Sequence, residues 1–549
     1  NVSTNLFFKY RRMTMGFQLS PGVQTKEFDL STSIPAVATS LGATVGRFTW
    51  GPCFDATLVA SESNLVSVFG KPNADSYPSF LTSAAFLSYS NSLQVVRVVD
   101  ATATNANASG TGVLIKNAED FDTQMDSGTL TEGFYARYPG AYGNSITVET
   151  ADEAGYATWA YAGAFDVSPA ASNSEMAIAV LVGGVVAEAH IVSTVDGNKN
   201  ADGNNIFVEK IINDTSKLIL AVNANVANGT ASTVFANGAD SGVGEDDYKL
   251  GWDLFANADE INVSILVAGG VTNEAKATAY AVQKYMVESI AEVRKDCFAM
   301  LSPAKEDVVN VGGASTAVSN VIASRKDVSF NVASSYGSLD ANYKYTYDKY
   351  NDTYRWIGFS GDTAGLLAYT DSTRDAWWSP AGLNRGQIKN VVKLAYNPSS
   401  TLRDQLYMLP NGINPIVSFP GQGTVLWGDR TLLTKPSAFD RINVRRLFIV
   451  IEKAIAISAK YFLFEFNNKY TRRNFVNMVN PYLGGIQGKQ GMYDFYVQCD
   501  ETNNTGEVID ANQFVASMFI KPAKSINYIT LNFVATKTGV DFSEVIGQV

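Results

Sequence analysis

The chain has 549 residues, a length that implies about three or four domains, and 46% of them are hydrophobic, ample for several cores. A formal charge of −11, from 42 basic and 53 acidic residues, offers no overall basic field for nucleic acid or an anionic membrane. One histidine and three widely spaced cysteines exclude most zinc centres and a disulfide framework, and the sparse thiols point to a reducing compartment.

The start, NVSTNLFFKYRRMTMGF, sets its charges after a very short apolar patch, the reverse of a secretory signal. Met13-Thr14-Met15 reads as a natural start, with residues 1 to 12 an upstream extension or an unusual arm. Residues 16 to 32, GFQLSPGVQTKEFDLST, are polar and punctuated by Pro and Gly, as an extended arm would be. PAVATSLGATVGRFTWGP is β-rich and stops at Gly51-Pro52. There Cys53 sits beside a turn and close to Trp50, as a nucleophile in a shaped pocket would. It has no base, however. The one histidine, His190, lies in the alternating VVAEAHIVST as a strand residue, so Cys53 is expected to pack as a small hydrophobe. ESNLVSVFGKP predicts a short helix closed by Gly70 and Pro72, SYPSFLTSAAFLSYS a second helix, and LQVVRVVD a strand over residues 93 to 100.

After Asp100 the composition changes. ATATNANASGTG reads as a linker, and residues 101 to 235 show short alternating segments such as GNSITVET and VEKIINDTSKLILAV, as in a β-rich surface unit. EINVSILVAGG is a strand running into glycines. Ala279, Val282, Met286, Ile290 and Val293 then mark an amphipathic helix, and CFAMLSP a further strand: a parallel, right-handed βαβ crossover. In NYKYTYDKYNDTYRW, Tyr343, Tyr345 and Tyr347 predict a hairpin with an aromatic face. FDRINVRRLFIVIEKAIAISAKYFLFEFN predicts a long helix. Its stripe is Val444, Leu447, Ile451, Ala454, Ile455 and Ser458, with Arg446, Lys453 and Lys460 as a heptad-spaced ridge opposite. QFVASMFIKP and SINYITLNFVAT close the chain as two alternating runs around a Pro-containing turn, before the tail KTGVDFSEVIGQV.

Chemistry-bearing motifs fail one by one. LGGIQGKQG has Leu483 where a phosphate loop needs Gly, and Gln490 where it needs Ser or Thr. GGVTNEAKA lacks the GxGxxG spacing, and GEDDY reads as a solvated acidic loop rather than a calcium site. No GxSxG, HExxH or kinase set occurs, so no enzyme activity, cofactor or metal is expected.

Several blocks taken together resemble tail sheath proteins of contractile phage tails, in the long form of large myoviruses. They are GRFTWGPCF with ESNLVSVFGKP and LQVVRVVD; ARYPGAYGNSITV; WIGFSGDTAGLLAYTDSTRDAWWSPAG; GINPIVSFPGQGTVLWGDRTL; and NVRRLFIVIEKAI with FEFNNKYTRRNF. Residues 101 to 235 carry little of this match. The resemblance implies a mixed multidomain α+β fold, with an inner α/β body built from N- and C-terminal parts and β-rich outer domains inserted between them. The expected division is an arm at 1–32, inner body at 33–100, a β-rich outer domain at 101–235, an α/β middle domain at 236–379, C-terminal body at 380–534 and an arm at 535–549.

It further implies stacked six-subunit rings around a tail tube, contraction from a metastable extended state, and partners in the tube, baseplate and tail terminator proteins, in the virion tail and, during assembly, the host cytoplasm. Neither nucleic acid nor membrane insertion is implied. The family's strand exchange would use Phe17, Leu19, Val23 and Phe28 of one arm and Phe533, Phe542, Val545 and Ile546 of the other. The receiving sheet would hold Tyr493, Phe495, Val497, Ile529 and Leu531. Arg446, Lys453 and Lys460 would face the tube. The competing readings are a sheath of a bacteriocin or type VI secretion machine, and a nucleotide-binding α/β enzyme built on the βαβ unit.

Overall fold

The computed structural model describes residue 34 and residues 37–110, 112–240 and 242–531. Its centre is a seven-stranded sheet in the spatial order Ile413–Asn414, Gly337–Asp340, Phe298–Leu301, Ile265–Val267, Gly42–Gly46, Leu93–Arg97 and Thr57–Val59. All neighbours are parallel except the last pair. Gly42 is flanked by Ile265 on one side and Leu93 on the other.

Both sheet faces are covered, which is why its central strands are largely apolar. Ala43, Val45, Leu266, Ala299 and Leu301 pack with Trp252, Tyr280 and Met286 on one face. Leu93, Ile265, Val267, Phe298 and Met300 pack with Phe80, Phe86, Ala364 and Leu367 on the other. The alternation of these two sets along each strand is the period-two signature of a sheet.

The predicted βαβ crossover is present as Ile265–Val267, a helix from Lys276 and Phe298–Leu301, with parallel pairing. Its helix departs from regular geometry at Met286–Ala291, a π-helical turn. The wider turn rotates the next residues about the axis, so Val293 leaves the predicted stripe and is exposed, while Val287 and Ala291 are buried in its stead.

The expected partition into an inner body of residues 33–100 and 380–534 needs correction. The N-terminal strands lie inside one sheet with strands of residues 265–414, because parallel neighbours need long crossovers and so come from distant segments. The excursion that begins after Asp100 carries its own antiparallel sheet, ordered Val185–Ser193, Glu175–Val182, Ile146–Asp152 and Ala231–Val234. This unit is β-rich as expected, with His190 in a strand. VEKIINDT is a helix instead, Val208–Thr215, burying Val208 and Ile212 one turn apart.

The turn at Gly51-Pro52 is where three cores meet. Phe48 packs on the central sheet, Trp50 belongs to the core of the inserted unit, and Cys53 packs with Val99 and Ala103. The Trp50 indole lies 5.0 Å from the Tyr142 ring and donates to the Lys217 carbonyl at 3.3 Å. Beneath it the fully buried Arg97 donates to the carbonyls of Gly51 (3.0 Å) and Pro139 (2.7 Å), and to Asp240 (3.0 Å). One side chain thus ties the central sheet to Pro139 within the inserted unit and to Asp240 just after it.

The tyrosine-rich hairpin forms, Tyr343–Asp348 against Thr353–Gly358, and it carries an aromatic face on which Tyr345 and Tyr347 meet Tyr354. Lys344, Thr346 and Asp348 point inward, Lys344 forming a buried ion pair with Asp362 at 2.8 Å. Tyr345 stays partly exposed, against Tyr354, Trp356 and the Lys393 ammonium. GEDDY is no loop: Glu245, Asp246 and Asp247 form the first turn of the helix Glu245–Asp253, where acids complement the helix dipole.

Candidate functional site

The C-terminal unit is built on two helices, Ile442–Ala459 and Lys469–Gly488. Leu447, Ile451 and Ile455 of the first pack against Phe475, Val479, Leu483 and Ile486 of the second, under Met492 and Val497. The second helix is disguised in the sequence by Pro481 and the glycines of LGGIQGKQG. The signal that reveals it is Phe475, Val479, Leu483 and Ile486, spaced four, four and three apart, together with Asn468, whose side chain caps it by accepting from the Thr471 amide.

The basic ridge is internal for most of its length, which corrects the tube-facing expectation. Arg446 forks onto Asp371 at 2.6 and 2.7 Å, and each side chain is 4% exposed. Lys453 reaches Asp296 at 3.2 Å and Asn262 at 2.6 Å. Lys460 meets Asp259 at 3.3 Å in the open, with the two side chains 67% and 85% exposed. The heptad spacing therefore holds the helix to the central body through three aspartates.

Among the expected receiving residues, Tyr493, Phe495 and Val497 lie in the strand Met492–Gln498. Its partner is Ser517–Pro522, with Phe495 opposite Ile520 and Val497 opposite Met518. Ile529 and Leu531 are not in this sheet: residues 524–531 form no ladder with any described strand, and both side chains are exposed. SINYITL reads as a strand and has no strand partner among the described residues. Phe17, Leu19, Val23, Phe28, Phe533, Phe542, Val545 and Ile546 all lie outside the described residues.

Exposed large apolar side chains gather in this same region. Tyr461, Leu463, Phe464, Phe466 and Tyr470 line the connection between the two helices, and Tyr493, Tyr496 and Phe519 project from the two-stranded sheet. Ile526, Tyr528, Ile529 and Leu531 continue along the unpaired run. Exposed apolar side chains grouped in one unit are what a protein contact would cover.

The chemistry-bearing candidates are used for packing. A Cβ on Gly270 would meet the Ser79 amide nitrogen at 2.4 Å, and Gly269 holds φ +68 against Thr44, so these glycines admit a neighbouring helix rather than a phosphate. Burial pushes the Cys53 thiol up to about 11, far from a thiolate nucleophile. No cluster of three or more metal-ligating side chains occurs among the described residues. Among them, too, no helix is long and apolar enough to cross a membrane.

Burial also pushes the Asp340 carboxyl well above its ordinary range, with hydrogen bonds from Ser302 and the Asn342 amide opposing and the nearby Asp362 charge reinforcing. Its unfolded counterpart titrates near about pH 4, so the folded state binds the proton more tightly. The stability this contributes is full below that pH and falls as pH rises towards the folded value. Asp340→Asn should therefore flatten the decline in urea midpoint between pH 5 and pH 8. An unchanged slope would show that Asp340 does not carry it.

Comparison with known proteins agrees with this assembly-like surface. A family model described as the phage tail sheath protein central domain matches residues 241–432, and one described as the phage tail sheath C-terminal domain matches residues 434–536. The tail sheath protein of Vibrio phage KVP40 is 38% identical, over 96% of this chain and 100% of its own length. That of Enterobacteria phage T4 is 34% identical over 96% and 99%. A solved sheath of the extracellular contractile injection system PVC, in its contracted state, shares the fold with a TM-score of 0.53 at 15% identity, covering 95% of this chain and 99% of that one. With relatives this similar along nearly its whole length, the chain belongs to the phage tail sheath family and is a structural protein of the phage tail.

Proposed function

We propose that this chain polymerises as stacked six-subunit rings around a tail tube, assembles in a metastable extended state and contracts to drive the tube through the host envelope. The observation that carries this reading is the exposed run 524–531, which forms no ladder with any described strand, beside a two-stranded sheet in a region rich in exposed aromatic residues. A strand that lacks a partner in its own chain is the donor that β-augmentation requires. The energy of contraction then resides in subunit packing, which accords with motifs that serve packing rather than nucleotide chemistry.

In this reading residues 1–32 and 535–549 are the exchange arms, acting through Phe17, Leu19, Val23 and Phe28 and through Phe533, Phe542, Val545 and Ile546. Tyr493, Phe495 and Val497 receive them. The inserted unit points outward. Tube, baseplate and terminator proteins are the partners, met in the host cytoplasm during assembly and in the virion tail afterwards. A tube contact through the basic ridge rests on Lys460, since Arg446 and Lys453 are engaged within the chain.

Electron microscopy of the purified chain tests the proposal. Hollow striated cylinders are expected from the full chain, and discrete particles from a variant ending at residue 522. Discrete particles from the full chain under all assembly conditions would count against it.

A further inference from the structure

Residues 524–531 form no ladder, yet the first part of this run is held to the body. The hold is polar and comes at alternate residues. Asn443 Nδ2 donates to the Ala523 carbonyl at 3.1 Å, the Ser525 hydroxyl donates to Asp429 Oδ2 at 2.6 Å, and Asn527 Nδ2 donates to the Tyr407 hydroxyl at 2.8 Å. Lys524 and Ile526, between them, are exposed, as intervening residues of an extended chain are. After Asn527 the hold stops. Tyr528, Ile529 and Leu531 are exposed whatever their parity, and among the described residues no hydrogen bond joins 528–531 to the rest of the chain.

The body side of this contact is a built polar site. Asp429 is 2% exposed, and its carbonyl accepts from the Ile442 amide at 2.8 Å, which fixes it at the start of the helix Ile442–Ala459. Its Oδ1 accepts from the Tyr407 hydroxyl at 3.0 Å, and its Oδ2 accepts from Ser379, also at 3.0 Å, besides Ser525. The guanidinium carbons of Arg430 and Arg441 stand 4.7 and 5.5 Å from the Tyr407 ring centre and fix the ring in turn. Burial, and then the charge of Asp429, push the Tyr407 hydroxyl well above its ordinary range. It therefore keeps its proton, donates to Asp429 and accepts from Asn527. The Ser525 hydroxyl on a buried carboxylate is a short, charge-assisted bond, roughly twice as strong as a neutral one.

We propose that Asp429, Tyr407 and Asn443 form a latch that positions the exchange run: residues 523–527 stay with their own subunit, and the free segment begins at Tyr528. The proposal rests on the sheath reading and adds to it the point from which the strand is presented. A root held in one direction lowers the ordering cost of pairing with a second copy, because fewer residues are fixed at that moment. It also carries a pull on the run to the central body through Asp429, and not to the two-stranded sheet alone.

Spin labels on the dilute, unassembled full chain test the latch, since the three native cysteines are buried. A nitroxide at Ile526→Cys should be slowed in the parent and freed by Ser525→Ala with Asn527→Ala. One at Ile529→Cys should be mobile in both. Without labels, the double variant should form cylinders about tenfold more slowly, the weight of one hydrogen bond to a charged group. Ser525→Thr, which keeps the hydroxyl, should restore the parent's rate when it replaces Ser525→Ala. The urea midpoint of the double variant should stay at the parent's value.

Equal mobility at residue 526 with and without the two anchors would overturn the latch and leave the sheath reading standing. So would cylinders that form from the double variant at the parent's rate, or a slowing that tracks a fall in urea midpoint. Absence of cylinders in the unsubstituted chain would remove the sheath reading, and the positioning role with it.

Discussion

Replacing Arg97 by methionine should lower stability by about 3–5 kcal/mol, the range for breaking a buried charge network from one side. The guanidinium is fully buried and is shared by Gly51, Pro139 and Asp240. Its removal leaves two carbonyls and a carboxylate without their donor at the junction of the central sheet and the inserted unit. The loss should be read in urea unfolding and, more specifically, in limited proteolysis, where residues 101–240 become separable from the rest. If unfolding shifts while the fragment pattern does not, Arg97 stabilises the sheet alone and the clamp is wrong.

The second expectation is a gradient along one helix. Arg446→Met should cost about 3–5 kcal/mol, because it strands Asp371 in a nearly dry site. Lys460→Met should cost less than about 1 kcal/mol, because both partners of that pair are solvated and screened. Lys453 should fall between, its partner Asp296 being held below the ordinary carboxylate range by Arg294 and Lys453 against the effect of burial. Equal losses at Arg446 and Lys460 would mean that the helix is not held by these contacts. Charge reversal at Arg446 is for the same reason a poor probe of tube binding, since it disturbs the subunit first.

Local patterns carried far. The helix at Glu62–Phe69 follows from Ser61, which accepts from the Asn64 amide, and from Gly70, whose φ of 75 closes it. Leu93–Arg97, the βαβ crossover and the tyrosine hairpin were likewise legible from periodicity. The second C-terminal helix was not, because three glycines and a proline weigh against helix locally while burial of Phe475, Val479 and Leu483 outweighs them. The π-helical turn that turns Val293 outward has no sequence period of its own.

By itself the sequence determined where several of the helices and strands lie and which family the chain joins, since these depend on side chains close together along the chain or on ordered blocks. Only the tertiary structure decided what those side chains meet. It placed Gly42 between Ile265 and Leu93, turned Arg446 inward onto Asp371, gave Trp50 to the inserted unit and left SINYITL without a strand partner among the described residues. A periodic pattern states that a face is to be covered; what covers it is set by contacts between residues hundreds of positions apart, or by another copy of the chain.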